Sequence, residues 1–119
     1  VVEPNKADCL FRTAKAADGQ MHFVTEEMNT IMAGLACGEP CPIAWEVLRG
    51  CADYFISFPD YAAAKGMRIL SSPVGEDERI ISGESGAVGL GVLAAVHYHP
   101  QRQSLNPAPP PLDVSAKFC

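Results

Sequence analysis

Residues 83–87 read Gly-Glu-Ser-Gly-Ala, a serine between two glycines. The short run Arg79-Ile80-Ile81-Ser82 precedes it and a helix-like apolar run to Val96 follows. Such a setting suggests a nucleophile. A nucleophile elbow needs Gly-x-Ser-x-Gly, because the strand-to-helix turn is too tight for a Cβ at either outer position. Here the last position is Ala87. A serine nucleophile also needs a histidine base within hydrogen-bond reach. His97 and His99 lie on or just past the helix that Ser85 starts, several turns from its hydroxyl. Two readings of Ser85 stay open beside that one. It can be a plain helix N-cap, a position serine favours. Or the flanking glycines, with Glu84 beside them, let something flat approach a helix N-terminus that offers free N–H groups and partial positive charge. Gly89-Leu90-Gly91-Val92-Leu93-Ala94 half-matches a dinucleotide fingerprint, but it sits inside the helix rather than at its opening.

The elements that must position Ser85 follow from hydrophobic spacing. Val1-Val2 reads as the end of a buried strand stopping at Pro4. Residues 7–17 read as a helix, with Leu10, Phe11, Ala14 and Ala17 at helical spacing and Asp18-Gly19 as its stop. A short strand is expected at 21–24, and a helix followed by a loop at 29–38. Pro42 starts a clearer helix to about Ala52, with Ala44, Val47, Leu48 and Cys51 as its apolar stripe. Residues 54–58 have strand composition. Pro59-Asp60 opens a helix lined by Ala63, Met67 and Leu70, and Ser72-Pro73 and Gly75 break it. A short strand at 79–82 and a helix from Ser85 to His97 complete the pattern. That last helix is apolar almost all round, which predicts burial in a larger body. Strands alternating with helices indicate an α/β class. After Gln101 the composition turns proline-rich without periodicity, so 1–100 reads as the folded portion and 101–119 as a disordered or loosely extended tail.

Composition narrows the function classes. The chain has 119 residues, 48% of them hydrophobic and 19% charged, which suits one globular domain. Net charge is -5 and no basic cluster occurs, so nucleic acid is not an expected partner. The longest apolar run, Ala87 to Val96, is too short to span a bilayer. The opening VVEPNKADC has neither a starting Met nor the pattern of a signal peptide and reads like the middle of something larger. The five cysteines, an odd number, suit a reducing cytoplasmic setting with mostly free thiols. Cys37 and Cys41 are the only close pair, and the histidines are scattered, which does not make a zinc site.

Three landmarks together carry a family resemblance. Glu84-Ser85-Gly86-Ala87 resembles the Glu-Pro-Ser-Gly-Ala segment of the fold-type II pyridoxal phosphate enzymes, the group of threonine dehydratase, serine racemase and cysteine synthase. Val2-Glu3-Pro4 followed by Ala7-Asp8 resembles their Val-Glu-Pro strand end, and Thr30-Ile31-Met32-Ala33-Gly34-Leu35 their Thr-Ile-Ala-Asp-Gly segment. The runs NTIMAGLACGEPCPIAWEVL, DYAAAKGMRIL and IISGESGAVGLGVL are similar to the diaminopropionate ammonia-lyase branch of that family. The likeness extends from about Val1 to Leu105. Beyond it, NPAPPP replaces a further family strand, as a reading-frame change or a truncated gene would leave it.

The resemblance implies a portion, C-terminal in the enzyme, of a larger three-layer α/β domain with an incomplete sheet. It implies a cytoplasmic, homodimeric lyase that converts 2,3-diaminopropionate to pyruvate and ammonia with pyridoxal phosphate. In that family a lysine holds the cofactor, an acid removes the substrate α-proton, and the ring stores the electrons. The lysine, the acids and the phosphate loop lie upstream of the Val-Glu-Pro strand. No catalytic residue is therefore expected on this chain, and the isolated chain is expected to be inactive. Lys6, Lys15, Lys65 and Lys117 match no cofactor-lysine motif. Carried over by position, Ala33, Gly34, Gly83, Glu84, Ser85 and Gly86 are the cofactor-binding residues, with Ser85 a pocket residue. Some relatives hold a divalent metal through the Glu of Val-Glu-Pro and a second carboxylate. Cys9 occupies that second position here, and hard cations prefer oxygen, so no metal site is expected. The family layout also puts Cys9 and Cys37 at the rim of one active-site mouth, which makes them the pair to join if a disulfide forms. Competing readings are a non-catalytic remnant, a threonine dehydratase-like β-eliminating enzyme, and a serine hydrolase, the last requiring Ser85 to react with a fluorophosphonate.

Overall fold

The structure, a computed structural model, describes residues 1–98 and the backbone of 114–115. Its core is a small sheet. Strand β1 (Val2–Pro4) pairs in parallel with β2 (Phe55–Phe58), in the register Val2 with Ile56, Glu3 with Ser57 and Pro4 with Phe58. Pro4 has no N–H to give, so it serves only as the last residue of its strand. The link between these parallel strands carries helix α1 (Cys9–Ala16), a single 3₁₀ turn at Ala33–Leu35 and helix α2 (Pro42–Cys51). Helices α3 (Tyr61–Ser71) and α4 (Glu84–His97) follow. A two-residue strand, β3 (Val114–Ser115), lies antiparallel against β2. The rest of the expected tail, 101–119, lies outside the described residues.

Alternation along β2 divides the side chains between two faces. Phe55 packs with Phe11 and Ala14 of α1 and, at the edge, Trp45 and Leu48 of α2. The Trp45 and Phe55 ring centroids stand 5.6 Å apart in a tilted pair. Ile56 and Phe58 face the other way, onto Ala62 and Ala63 of α3, Val88 and Val92 of α4, and Met32. Helices therefore cover both faces of the sheet, the three-layer α/β arrangement expected.

Helix α1 is held by a carboxylate from the strand rather than by its own cap. Asp8 stands at the N-cap position but makes no side-chain cap bond. Instead Glu3 of β1 accepts the backbone N–H groups of Leu10 at 3.1 Å and Phe11 at 2.7 Å, and the Cys9 thiol lies 3.7 Å from it. Burial raises the Glu3 pKa, against the lowering effect of those two amides. Asp8 is used elsewhere: it accepts from Arg12 at 2.8 Å and from Ser57 of β2 at 2.7 Å, which ties α1 to the strand. The chain leaves α1 through Ala17 in the left-handed region, at φ 50.

Helices α3 and α4 touch backbone to backbone. A Cβ at Gly66 would overlap the Ala87 carbonyl, and one at Gly91 the Ala62 carbonyl. Ala62, Ala63, Ala87 and Val88 close around this crossing. The approach is one that only glycine permits at those two positions.

Several local expectations are corrected. Residues 21–24 form no strand; Val24 makes one backbone bond, to the Gly38 carbonyl, and a ladder needs a continuous neighbour. Residues 79–82 form no strand either, since Ile80 donates once, to Leu70 at the end of α3. The helix expected within 29–38 is one 3₁₀ turn, Ala33–Leu35. Gly38 passes so close to the Val24 carbonyl that a Cβ there would overlap it. The inward edge of α2 is Trp45, Leu48 and the flanking Ala52. Ala44, Val47 and Cys51, expected inside, are exposed, Val47 at 62%, as is their neighbour Ile43 at 80%.

Candidate functional site

Two of the expected cofactor segments meet. The first begins at Thr30, whose hydroxyl donates to the Asp60 carboxylate just ahead of α3, while the Ile31 N–H donates to the same carboxylate at 3.1 Å. The Met32 N–H turns back to the Thr30 hydroxyl oxygen at 3.1 Å, and the Met32 side chain is fully buried in the α3–α4 core. The chain then makes its 3₁₀ turn, closed by Leu35 N–H to the Met32 carbonyl at 2.8 Å. Ala33 and Gly34 are carried to the surface at its apex.

The second segment is the start of α4. Gly83 is the N-cap residue, with extended backbone, and Glu84 is the first helical residue. The Ala87 N–H returns to the Gly83 carbonyl at 3.0 Å. Ser85 is thus inside the first turn and does not cap the helix. Its Oγ accepts the Gly34 N–H at 3.2 Å, a contact across 51 residues of sequence. A Cβ on Gly34 would come to 3.0 Å from that oxygen, so glycine sets the spacing between the segments. At Gly83 an added Cβ would meet nothing within 4 Å.

The contact between the segments is a single backbone N–H on a side-chain hydroxyl. Among the described residues no histidine or carboxylate is hydrogen-bonded to Ser85. His97 is twelve residues along α4, about 18 Å away at helical rise. With its oxygen accepting from Gly34, the Ser85 hydroxyl still has a proton to donate. Gly83, Ser85 and Gly86 open α4, Ala33 and Gly34 lie on the 3₁₀ turn, and the Gly34–Ser85 bond joins the two segments. Glu84 adds a carboxylate in the first turn of the helix. Asp60, which holds the first segment, is a residue that reading the sequence does not single out. It follows Pro59 at a helix start, where an aspartate is expected to cap its own helix, yet it makes no such cap bond.

The four cysteines among the described residues are free thiols. Cys9 is buried, whereas Cys37, Cys41 and Cys51 are exposed. Burial pushes the Cys9 thiol up to about 12, and the charges of Glu3 and Cys37 add to the rise, so Cys37 lies within electrostatic reach. The Cys37 thiol itself donates to the Glu39 carbonyl at 3.3 Å. Among the described residues no group of three or more His, Cys, Asp or Glu could hold a metal ion. No helix among them is long and apolar enough to cross a membrane.

Diaminopropionate ammonia-lyase of Escherichia coli strain K12 is 66% identical over 105 residues, 88% of this chain. The chain is homologous to a segment of diaminopropionate ammonia-lyase. It spans about a quarter, 26%, of the length of that relative. The crystal structure of the E. coli diaminopropionate ammonia-lyase in complex with an aminoacrylate–pyridoxal phosphate azomethine reaction intermediate superposes with a TM-score of 0.75 at 64% identity, over 87% of this chain and 25% of the other. The same enzyme in complex with D-serine gives 0.73 at 62% identity, again over 87% and 25%. No protein-family model matches the chain.

Proposed function

We propose that this chain supplies one wall of the cofactor pocket in a pyridoxal phosphate-dependent ammonia-lyase acting on 2,3-diaminopropionate. The observation that carries the reading is the Gly34 N–H to Ser85 Oγ bond. It joins, in space, two segments whose only link in the sequence is their likeness to one enzyme family. When bound, pyridoxal phosphate supplies an electron sink for the charge left on the substrate α-carbon as its proton is removed. The residues of this chain act around that chemistry. Ala33, Gly34, Gly83 and Gly86 leave room for a flat ring. Ser85 offers its hydroxyl proton to a ring-edge acceptor, and Glu84 lies one residue away for a second hydrogen bond.

The groups that move protons stand elsewhere in this reading. Lys15 and Lys65 lie over the aromatic rings of Phe11 and Tyr98, each at 5.4 Å from the ring centre. The exposed apolar residues Ile43 and Val47 on α2 and Leu93 on α4 are the surfaces that the remainder of the enzyme covers. The test is to add pyridoxal phosphate and 2,3-diaminopropionate to the purified 119-residue chain. The expected result is no cofactor imine retained by the chain after gel filtration before substrate is added, and no pyruvate above a mock preparation holding the same cofactor and substrate. Pyruvate formation by this chain alone contradicts the assignment of the catalytic groups.

A further inference from the structure

We propose that Asp60 is a positioning residue that sets the orientation of the Ser85 hydroxyl, acting through the Thr30–Gly34 strap. The proposal rests on the pocket reading above only for its use; the clamp itself stands on this chain's own geometry. One Asp60 carboxylate oxygen accepts the Thr30 hydroxyl and the other the Ile31 N–H. The Thr30 oxygen in turn accepts the Met32 N–H, so three successive residues are fixed by one carboxylate. A charged acceptor makes these among the stronger hydrogen bonds available to a loop. Asp60 occupies the N-cap position of α3, where its side chain could satisfy the helix's own free amides, and it makes no such bond. Its carboxylate is directed to the strap instead.

The strap's other restraints are local: the Ala33 N–H bonds the Ile31 carbonyl at 2.9 Å and the Leu35 N–H the Met32 carbonyl at 2.8 Å. Ile31, Ala33 and Gly34 are exposed, while Met32 is buried in the core and Leu35, just past the strap, packs against it. At its far end the Gly34 N–H meets Ser85 Oγ. Both supports of the strap are rigid relative to each other, because α3 and α4 cross at backbone contact through Gly66 and Gly91. A strap pinned at Asp60 on one helix therefore delivers Gly34 to a fixed point on the other. With one lone pair engaged by Gly34, the Ser85 hydroxyl keeps its proton for another acceptor. Released from Asp60, the strap loses that register, and the hydroxyl is free to rotate.

The experiment is amide hydrogen exchange by NMR on the whole 119-residue chain, in wild type and in Asp60→Ala, Thr30→Val and Thr30→Ser. The amides of Ile31, Met32 and Gly34 report the strap, and those of Ala63 to Gly66 and Val88 to Val92 report the helix crossing. In Asp60→Ala and Thr30→Val the Met32 and Gly34 amides are expected to exchange at least about tenfold faster, with the crossing changed by less than about twofold. Thr30→Ser keeps the hydroxyl and is expected to keep the wild-type rates. Unchanged strap amides in Asp60→Ala overturn the proposal. So does equal acceleration of the strap and the crossing, which marks a merely structural role, or a Thr30→Ser variant as fast as Thr30→Val. No cofactor enters this measurement, so its failure leaves the pocket reading standing, and failure of the pocket reading leaves the clamp standing.

Discussion

Gly89 and Gly91 stand two residues apart on α4 in opposite surroundings, and alanine at each should move stability in opposite directions. A Cβ at Gly89 meets nothing within 4 Å. At Gly91 it would overlap the Ala62 carbonyl oxygen and come to 3.1 Å from the Gly66 nitrogen. Those neighbours are backbone atoms, so no rotamer change relieves the overlap, and α3 and α4 must separate. Alanine is a better helix former than glycine by about 1 kcal/mol, a gain common to both positions. Overpacking a tight contact costs ~1–3 kcal/mol, and the upper end applies where backbone has to move. Separation also loosens Ala62, Ala63, Val88 and Val92, the layer that closes over Met32. Gly91→Ala should therefore destabilise the chain by about 2 kcal/mol net, while Gly89→Ala stabilises it by about 1 kcal/mol. Urea unfolding followed by circular dichroism reads the difference. With a slope of about 1–1.5 kcal/mol per molar, the two midpoints should lie roughly 2 M apart or more. Equal midpoints, a Gly91→Ala chain as stable as wild type, or a wild-type chain without a cooperative transition would refute the helix crossing described here.

Further outcomes follow from single residues. In an intact relative carrying this segment, Ser85→Ala should weaken cofactor retention or turnover by only the ~0.5–1.5 kcal/mol of one net hydrogen bond, and a loss of several orders of magnitude with cofactor still bound would make Ser85 a nucleophile after all. The Cys9 thiol titrates from 9.0 in the open chain to about 12 in the fold, so its contribution to stability is complete below the first value and lost as pH rises towards the second. Unfolding midpoints from pH 8 to 11 should fall more steeply in wild type than in Cys9→Ala; parallel curves would contradict this. At pH 8 iodoacetamide should modify exposed Cys37, Cys41 and Cys51 well before buried Cys9, as peptide mass spectrometry would read. If an intact relative with these cysteines is oxidised, Cys9 and Cys37 are the proposed pair, which requires a Cα separation of roughly 4.4–6.8 Å. Non-reducing peptide maps that link Cys37 to Cys41 instead would remove that proposal, and equal turnover with and without reductant would remove any regulatory role for the bridge.

What the sequence makes legible here is whatever one segment decides by itself. The helical spacing of Phe11 and Ala14, Pro42 at a first turn, the Phe55–Phe58 composition and the long apolar run after Ser85 each mark an element found in the structure. The strands expected at 21–24 and 79–82 are absent because a strand is a property of two chains, and Val24 and Ile80 find one backbone partner each. Helix α2 carries apolar residues on two sides, and nothing in its own residues says that Trp45 and Leu48 face this core while Ile43 and Val47 face outward. The site divides in the same way. Ser85 and Gly34 stand out by likeness to a family, whereas Asp60 works through contacts to residues about thirty positions away, which no local pattern announces.

Residues around Gly34 and Ser85 are proposed to form one wall of a diaminopropionate-cleaving pocket. The most direct test is to replace the matching segment of the E. coli diaminopropionate ammonia-lyase with the homologous 105 residues of this chain and to measure pyruvate formed from 2,3-diaminopropionate. The predicted result is a chimera that retains pyridoxal phosphate and forms pyruvate. A soluble, folded chimera that binds no cofactor, or binds it and forms no pyruvate, would contradict this assignment of Gly34 and Ser85.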